Sequence, residues 1–403
     1  MTIAGSNFTT LAYQEETTEG AYPTSGTFRY LPYTGESLQY TKDSISSNNI
    51  NSTRQVSDLI QTGFQVSGGI DFELAPMLLD EFIEGAVWSD WGSIVDAEYT
   101  VTFADADPDT ITDDGTGSDF TAFVAGQFVQ VVGSVSNDGI YEVASATGDV
   151  ITLETNASLT AEVSTAGVTI RGCMIRNGVV RHSYVVEKCL TDTANDTMFS
   201  YRGCLVNSLS VSAQSSAIIT GSLDLTGRDS LVYETGTEST AAIDASVSTG
   251  ILNAVAHLTN VYIDGVVPTG VYFQGLDFTI TNNMRGVQAI GTAGNVDVLP
   301  GQLEVTGSLN AYFVDKTMYE YFLNDSEKRI TYFVEDTTTK EGFAFTFPRV
   351  VFSTADMSAG GNDQDMVLNM SFQSLLSSST ANSPNSSIQI DRFLADYTAA
   401  PDQ

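Results

Sequence analysis

The chain has 403 residues, enough for two or three domains, and is 42% hydrophobic and 10% aromatic but only 16% charged, which excludes a disordered chain and a coiled coil. Fifty Asp and Glu face 16 Lys and Arg, a formal charge of −34. Tight nucleic-acid binding is therefore excluded, because it needs cations that displace condensed counterions.

In chain order, the first 16 residues carry no basic and apolar leader pattern, and no run approaches a membrane span, so assembly in a cytoplasm is expected. Alternation such as Ile70-Asp71-Phe72-Glu73-Leu74 predicts half-buried strands. Helical spacing predicts one helix over residues 76–83, with Pro76 in its first turn, and another over residues 316–323.

A repeat links the two. Gly35 to Leu38 matches Gly275 to Phe278 at an offset of 240, and Val66-Ser67-Gly68 matches Val305-Thr306-Gly307 at 239. Beyond the helices, Tyr184-Val185-Val186-Glu187 matches Tyr332-Phe333-Val334-Glu335, and the offset has dropped to 148. The first copy therefore holds an insertion. Within it residues 128–133, 139–143 and 150–154 alternate as strands joined by turns such as Asn137-Asp138-Gly139. Long polar hairpin loops are expected over residues 41–63 and 281–301, carrying Arg54 and Arg285.

The expected fold is mainly β: two tandem sandwich or barrel modules, each with one flanking α-helix, plus a small inserted all-β domain. The division is 1–96 with 173–240 for the first module, 97–172 for the insert, 241–395 for the second module and 396–403 for a tail.

No catalytic residues and no cofactor are expected. His182 and His257 have no carboxylate or cysteine at ligand spacing, and no phosphate-binding, nucleophile-elbow or zinc-protease motif occurs. Asp105, Asp107 and Asp109 imitate the start of a calcium loop, with Asp113, Asp114 and Asp119 nearby. The sixth position is not Gly and Thr116 stands where a bidentate Glu belongs, so no metal is expected. Cys173, Cys189 and Cys204 are expected as buried thiols.

Several segments carry a resemblance: residues 15–20, 33–38, 52–59 and 66–74, with Asn207-Ser208-Leu209 and Ile219-Thr220-Gly221-Ser222. Together they resemble the major tail tube proteins of siphophages, bacterial viruses with long non-contractile tails. The resemblance implies a structural subunit of the virion tail, assembled in the host bacterial cytoplasm around a DNA-conducting channel. Single-module members form hexameric rings, so two fused modules imply homotrimeric rings of pseudo-sixfold symmetry, stacked into a tube. It implies tail terminator, tail tip and tape measure proteins as partners, DNA passing without specific binding, and no membrane. The insert would decorate the exterior, as in flagellum-binding phages.

On this reading Asp71, Glu73, Asp224 and Glu304 are the candidates for an acidic lumen, and Arg54, Asp58 and Arg285 for inter-ring loops. Two alternatives remain open at this stage. One is a secreted surface-array or adhesin-like β protein that binds a partner or glycan. The other is a polysaccharide-active enzyme using Trp88 and Trp91 as sugar platforms, against which stands their packing between helix and insert.

Overall fold

The computed structural model describes residues 5–23, 26–50, 52–115, 120–190, 196–234, 243–244, 250–358, 361–363, 365–377 and 385–394. The first half contains β1 (Thr9–Glu15), β2 (Phe28–Tyr30), β3 (Gly35–Glu36), β4 (Gln39–Ser46), β5 (Leu59–Glu73) and α1 (Asp80–Val87). After an insertion come β12 (Tyr184–Leu190), β13 (Thr197–Gln214), β14 (Thr220–Gly227), β15 (Asp229–Glu234) and β16 (Ile243–Asp244). The insertion holds β6 (Val95–Ala104), β7 (Thr110–Asp113), β8 (Phe128–Val132), β9 (Gly139–Thr147), β10 (Val150–Leu153) and β11 (Glu162–Arg176). The second half holds β17 (Leu258–Ile263), β18 (Phe273–Thr281), β19 (Arg285–Gln288), β20 (Asn295–Leu299), β21 (Glu304–Tyr312) and α2 (Thr317–Leu323). It ends with β22 (Lys328–Glu335), β23 (Gly342–Ser358), β24 (Val367–Ser374) and β25 (Gln389–Phe393).

The two halves share one strand order. In the first, β4 pairs with β5, β5 with β14, β14 with β13, β13 with β12 and β15, and β12 with β1. In the second, β18 pairs with β21, β21 with β24, β24 with β23, β23 with β22 and β25, and β22 with β17. Both long strands, β13 and β23, bulge midway and so serve two sheets. Gly203 sits at the first bulge with φ +61°, a left-handed conformation that only glycine adopts without strain.

These registers correct one detail of the repeat. Val186 lies opposite Tyr201 and Ile330 opposite Phe347 beside equivalent bulges, so Val186 corresponds to Ile330 and not to Val334. Alternation has a period of two, so a slip of four residues keeps every side chain on its face and passes unnoticed.

The helix α1 begins at Asp80, not near Pro76, because Met77 takes a left-handed φ of 62° that no helix continues through. Asp80 and Glu81 occupy its first turn, where the helix dipole favours negative charge, and it ends at left-handed Trp88. Phe82, Ile83, Ala86 and Val87 are buried against the sheets. Gly85 lets the helix approach closely, since a Cβ there would lie 2.8 Å from the Tyr184 hydroxyl. The expected long loops prove partly structured: β4 and β5 pair as far as Ser46 and Leu59, and β19 and β20 form a hairpin.

The insertion is a closed six-stranded barrel, paired in the cycle β11–β6–β7–β10–β9–β8–β11. Its own core includes Val101, Phe103, Ile111, Val129, Val143, Ile151 and Val168, separate from the core that spans both halves. The end of β11 leaves the barrel and pairs with β25, Cys173 opposite Arg392 through Arg176 opposite Gln389. The barrel thus emerges from the first half and docks on the second. Phe128 packs there with Phe333, Ala344 and Phe393, and Arg329 pairs with Glu142 at 2.6 Å.

Candidate functional surface

Antiparallel pairing of β13 with β18 joins the halves, with Ser208 opposite Thr281 and Gln214 opposite Gly275. The result is one eight-stranded sheet in the order β4–β5–β14–β13–β18–β21–β24–β23. Period-two alternation sorts its faces. One face buries Val66, Ile70, Phe72, Leu209, Val211, Leu223, Leu225, Phe278, Ile280, Val305, Leu309, Met370 and Phe372. At about 1.5–3 kcal/mol for each large apolar side chain, this burial sets the register firmly.

The other face is polar. It presents Ser67, Ser208, Ser210, Ser212, Ser222, Thr226, Thr279, Thr306, Asn369 and Ser371 among its carboxylates. Asp71, Glu73, Asp224 and Glu304 all share this face, with Asp71, Asp224 and Glu304 exposed. Asp43, Asp277 and Asp356 also lie on it, unpredicted. Asp277 accepts hydrogen bonds from Ser212 (2.5 Å), Gln214 (2.8 Å) and Ser308 (3.2 Å), stitching the joint between the halves. Within the paired registers of these strands no Lys or Arg shares the face; Arg349, one residue before the first β23–β24 pair, has its parity and is ion-paired with Glu327. Such a wall repels phosphate within a screening length of about 8 Å at physiological salt.

The ends of the sheet are open: among the described residues no strand pairs with the outer edge of β4 or with that of β23 beyond Val350. An unpaired edge is a template for another strand.

Arg54 and Asp58 sit together at the exposed tip of the β4–β5 hairpin. Arg54 has a left-handed φ of 59°, while Asp58 closes the turn, its carbonyl accepting the Ser47 amide and its carboxylate the Leu59 amide, both at 2.8 Å. Five apolar side chains on this hairpin face solvent: Ile45, Ile50, Val56, Leu59 and Ile60. Arg285 lies apart, exposed on the β19–β20 hairpin. That hairpin folds back on the first half: Phe64 donates its amide to Ala293 at 3.0 Å, and Arg181 pairs with Asp297 at 3.0 Å.

The residues considered for chemistry have structural surroundings. His182 contacts Glu15 at 2.7 Å and Asp90 at 3.5 Å. Burial alone would lower its pKa, but the Glu15 hydrogen bond and charge, with Glu84 and Asp90, raise it above the ordinary value. Cys173, Cys189 and Cys204 are buried free thiols; burial raises the pKa of Cys173 to about 11 and pushes Cys204 higher. Asp109 caps the Ala106 and Leu159 amides at 2.9 and 2.8 Å. No metal-capable cluster occurs among the described residues, which do not include Thr116 and Asp119. Trp91 is no exposed sugar platform: it is buried, donates to the Asp80 carbonyl at 3.0 Å and carries Arg392 over its ring at 4.3 Å.

A family model described as phage tail tube protein matches residues 6–171 and, a second time, residues 130–374, together well over half of the chain. No curated protein matches the chain.

Proposed function

The chain belongs to the phage tail tube protein family, and from that premise we propose that three copies close into a ring of pseudo-sixfold symmetry, stacked to form a long non-contractile tail tube. As a member of that family it is a structural protein of the virion tail and not an enzyme. The observation that carries the reading is the eight-stranded sheet with a polar face whose paired positions carry carboxylates and no cation, and with two open edges. A closed ring satisfies those edges, and head-to-tail stacking makes an open-ended filament.

In this arrangement Asp71, Glu73, Asp224 and Glu304, with Asp43, Asp277 and Asp356, line the bore. Genomic DNA passes it without specific binding on its way to the host. The exposed Ile45, Ile50, Val56, Leu59 and Ile60 beside Arg54 and Asp58 fit a hairpin that reaches the adjoining ring. Arg285 lies in the equivalent connection of the second module, but on a hairpin that folds back on the first half and so reaches the adjoining ring less far than the β4–β5 tip. The tail terminator, tail tip and tape measure proteins meet the ends and lumen of the tube, and assembly takes place in the host cytoplasm, away from any membrane.

Residues 1–96 with 173–240 make the first module, residues 97–172 the insert and residues 241–395 the second module. The 240/241 boundary and the tail 396–403 lie outside the described residues. The barrel is held by β25, on the half of β23 that takes no part in the long sheet, which suits a position outside the tube. There it is placed to meet a host surface such as a flagellum. Electron microscopy of the purified chain is expected to show hollow tubes or stacked rings. Monomer under every assembly condition contradicts the proposal.

A further inference from the structure

The joint between the halves displays a contact that the single chain leaves unmade at its two ends. At the joint, Leu209 lies opposite Ile280, Ser210 opposite Thr279 and Val211 opposite Phe278. Asn282 donates its amide to Asn207 at 2.8 Å and Ser215 donates to Gln274 at 2.7 Å. Alternation then makes 209/280 and 211/278 hydrogen-bonded pairs, and 208/281 and 210/279 non-bonded ones.

The duplicates of these two strands are β23 and β4, and register fixes the correspondence. Leu223 lies opposite both Ile70 and Leu209, and Met370 lies opposite both Leu309 and Ala355, so Ala355 stands where Leu209 stands. By the same path Met357 stands for Val211. Ile280 lies opposite Val305 and Tyr40 opposite Val66, so Tyr40 stands for Ile280 and Leu38 for Phe278. Two positions buried at the joint are bare at the ends: Val211 and Ile280 are 3% and 0% exposed, their counterparts Met357 and Tyr40 41% and 37%. Leu38, the counterpart of Phe278, instead stays buried, its carbonyl accepting the Tyr201 hydroxyl at 3.0 Å. The Ser37 amide points inward to Gly69 at 2.9 Å, so alternation turns the Leu38 and Tyr40 amides to the open edge.

We propose that β23 of one copy pairs antiparallel with β4 of the next in one register: Thr354 opposite Thr41, Ala355 opposite Tyr40, Asp356 opposite Gln39 and Met357 opposite Leu38. This rests on the ring reading above and specifies the contact that closes the ring. The partner is a second copy of this chain, because the joint already shows the same two strand types accepting each other.

Disulfide trapping tests it. Gln39→Cys with Asp356→Cys, and separately Thr41→Cys with Thr354→Cys, place cysteines on non-hydrogen-bonded pairs, where Cα atoms about 4.5 Å apart admit a disulfide. The native thiols are buried and do not compete. Oxidised tubes of both variants should run as dimers and trimers on non-reducing gels. The displaced combination Thr41→Cys with Asp356→Cys should stay monomeric. If tubes form and only the displaced pair cross-links, the register is overturned and the ring stands; if the unmodified chain forms neither tube nor ring, both fall. In the unmodified chain, amide exchange at Leu38, Tyr40, Ala355 and Met357 should slow at least tenfold on assembly, and unchanged exchange in tubes overturns the pairing.

Discussion

Asp391 is a fully buried carboxyl on β25, held by the Phe128 amide at 3.1 Å and by Gln389 at 2.8 Å where the barrel meets the second half. Burial raises its pKa from 3.8 to about 7, against the lowering pull of those hydrogen bonds and of Arg176 and Arg329. The native state therefore holds this proton more tightly than the unfolded chain does. The stabilisation is complete below about pH 4 and is lost as pH rises towards 7. Glu84, which burial also raises to about 7, acts with the same sign. Asp391→Asn should flatten the fall in unfolding free energy between pH 4 and 7, read from denaturant titrations at several pH values. An unchanged slope contradicts the assignment.

Other residues divide by how far their partners lie along the chain. Asp71 and Asp224 were legible because strict alternation assigns them a face. Asp277 carries the same parity beside Phe278 but draws its meaning from Ser212 and Gln214, more than sixty residues away. The setting of His182 was illegible for the same reason, since Glu15 precedes it by 167 residues.

Among elements, strands with clean alternation such as β14 and β21 were read directly. The start of α1 was not, because Met77 fits the apolar spacing of a helix and only its left-handed backbone excludes it. The barrel was seen through β8, β9 and β10. Its closure was not, since that requires β11 to pair with both β6 and β8. The open edge of β4 carries the sharpest prediction at this scale. Tyr40→Pro removes an amide that points away from β5, so the β4–β5 ladder survives while edge pairing loses a donor. Tyr40→Ala controls for the lost stacking on Phe64, 4.9 Å between centroids. The proline variant should keep its circular dichroism but assemble at least tenfold less than the alanine variant, by sedimentation. Equal assembly of the two rules out a role for this edge.

For the molecule as a whole, the duplication and the insertion were legible from a drop in offset. The docking of the barrel on the second half was not, because Cys173 and Arg392 come together only through the fold. The excess of negative charge becomes meaningful once the paired positions of one face are seen to carry carboxylates and no cation. Replacing Asp224 and Glu304 together by Lys should leave tubes intact but make them retain short DNA duplexes, with retention falling as salt is raised. Tubes that release DNA as the unmodified ones do would contradict an acidic bore.

The most direct measurement is a cross-section of the assembled protein by electron cryomicroscopy, at a resolution that separates strands. Three chains are expected in each ring, each giving eight strands to one unbroken inner wall, with β23 beside the neighbour's β4, Asp71, Asp224, Asp277 and Glu304 facing the bore, and three barrels outside. A wall broken between chains, or one whose carboxylate face points outward, would contradict the account.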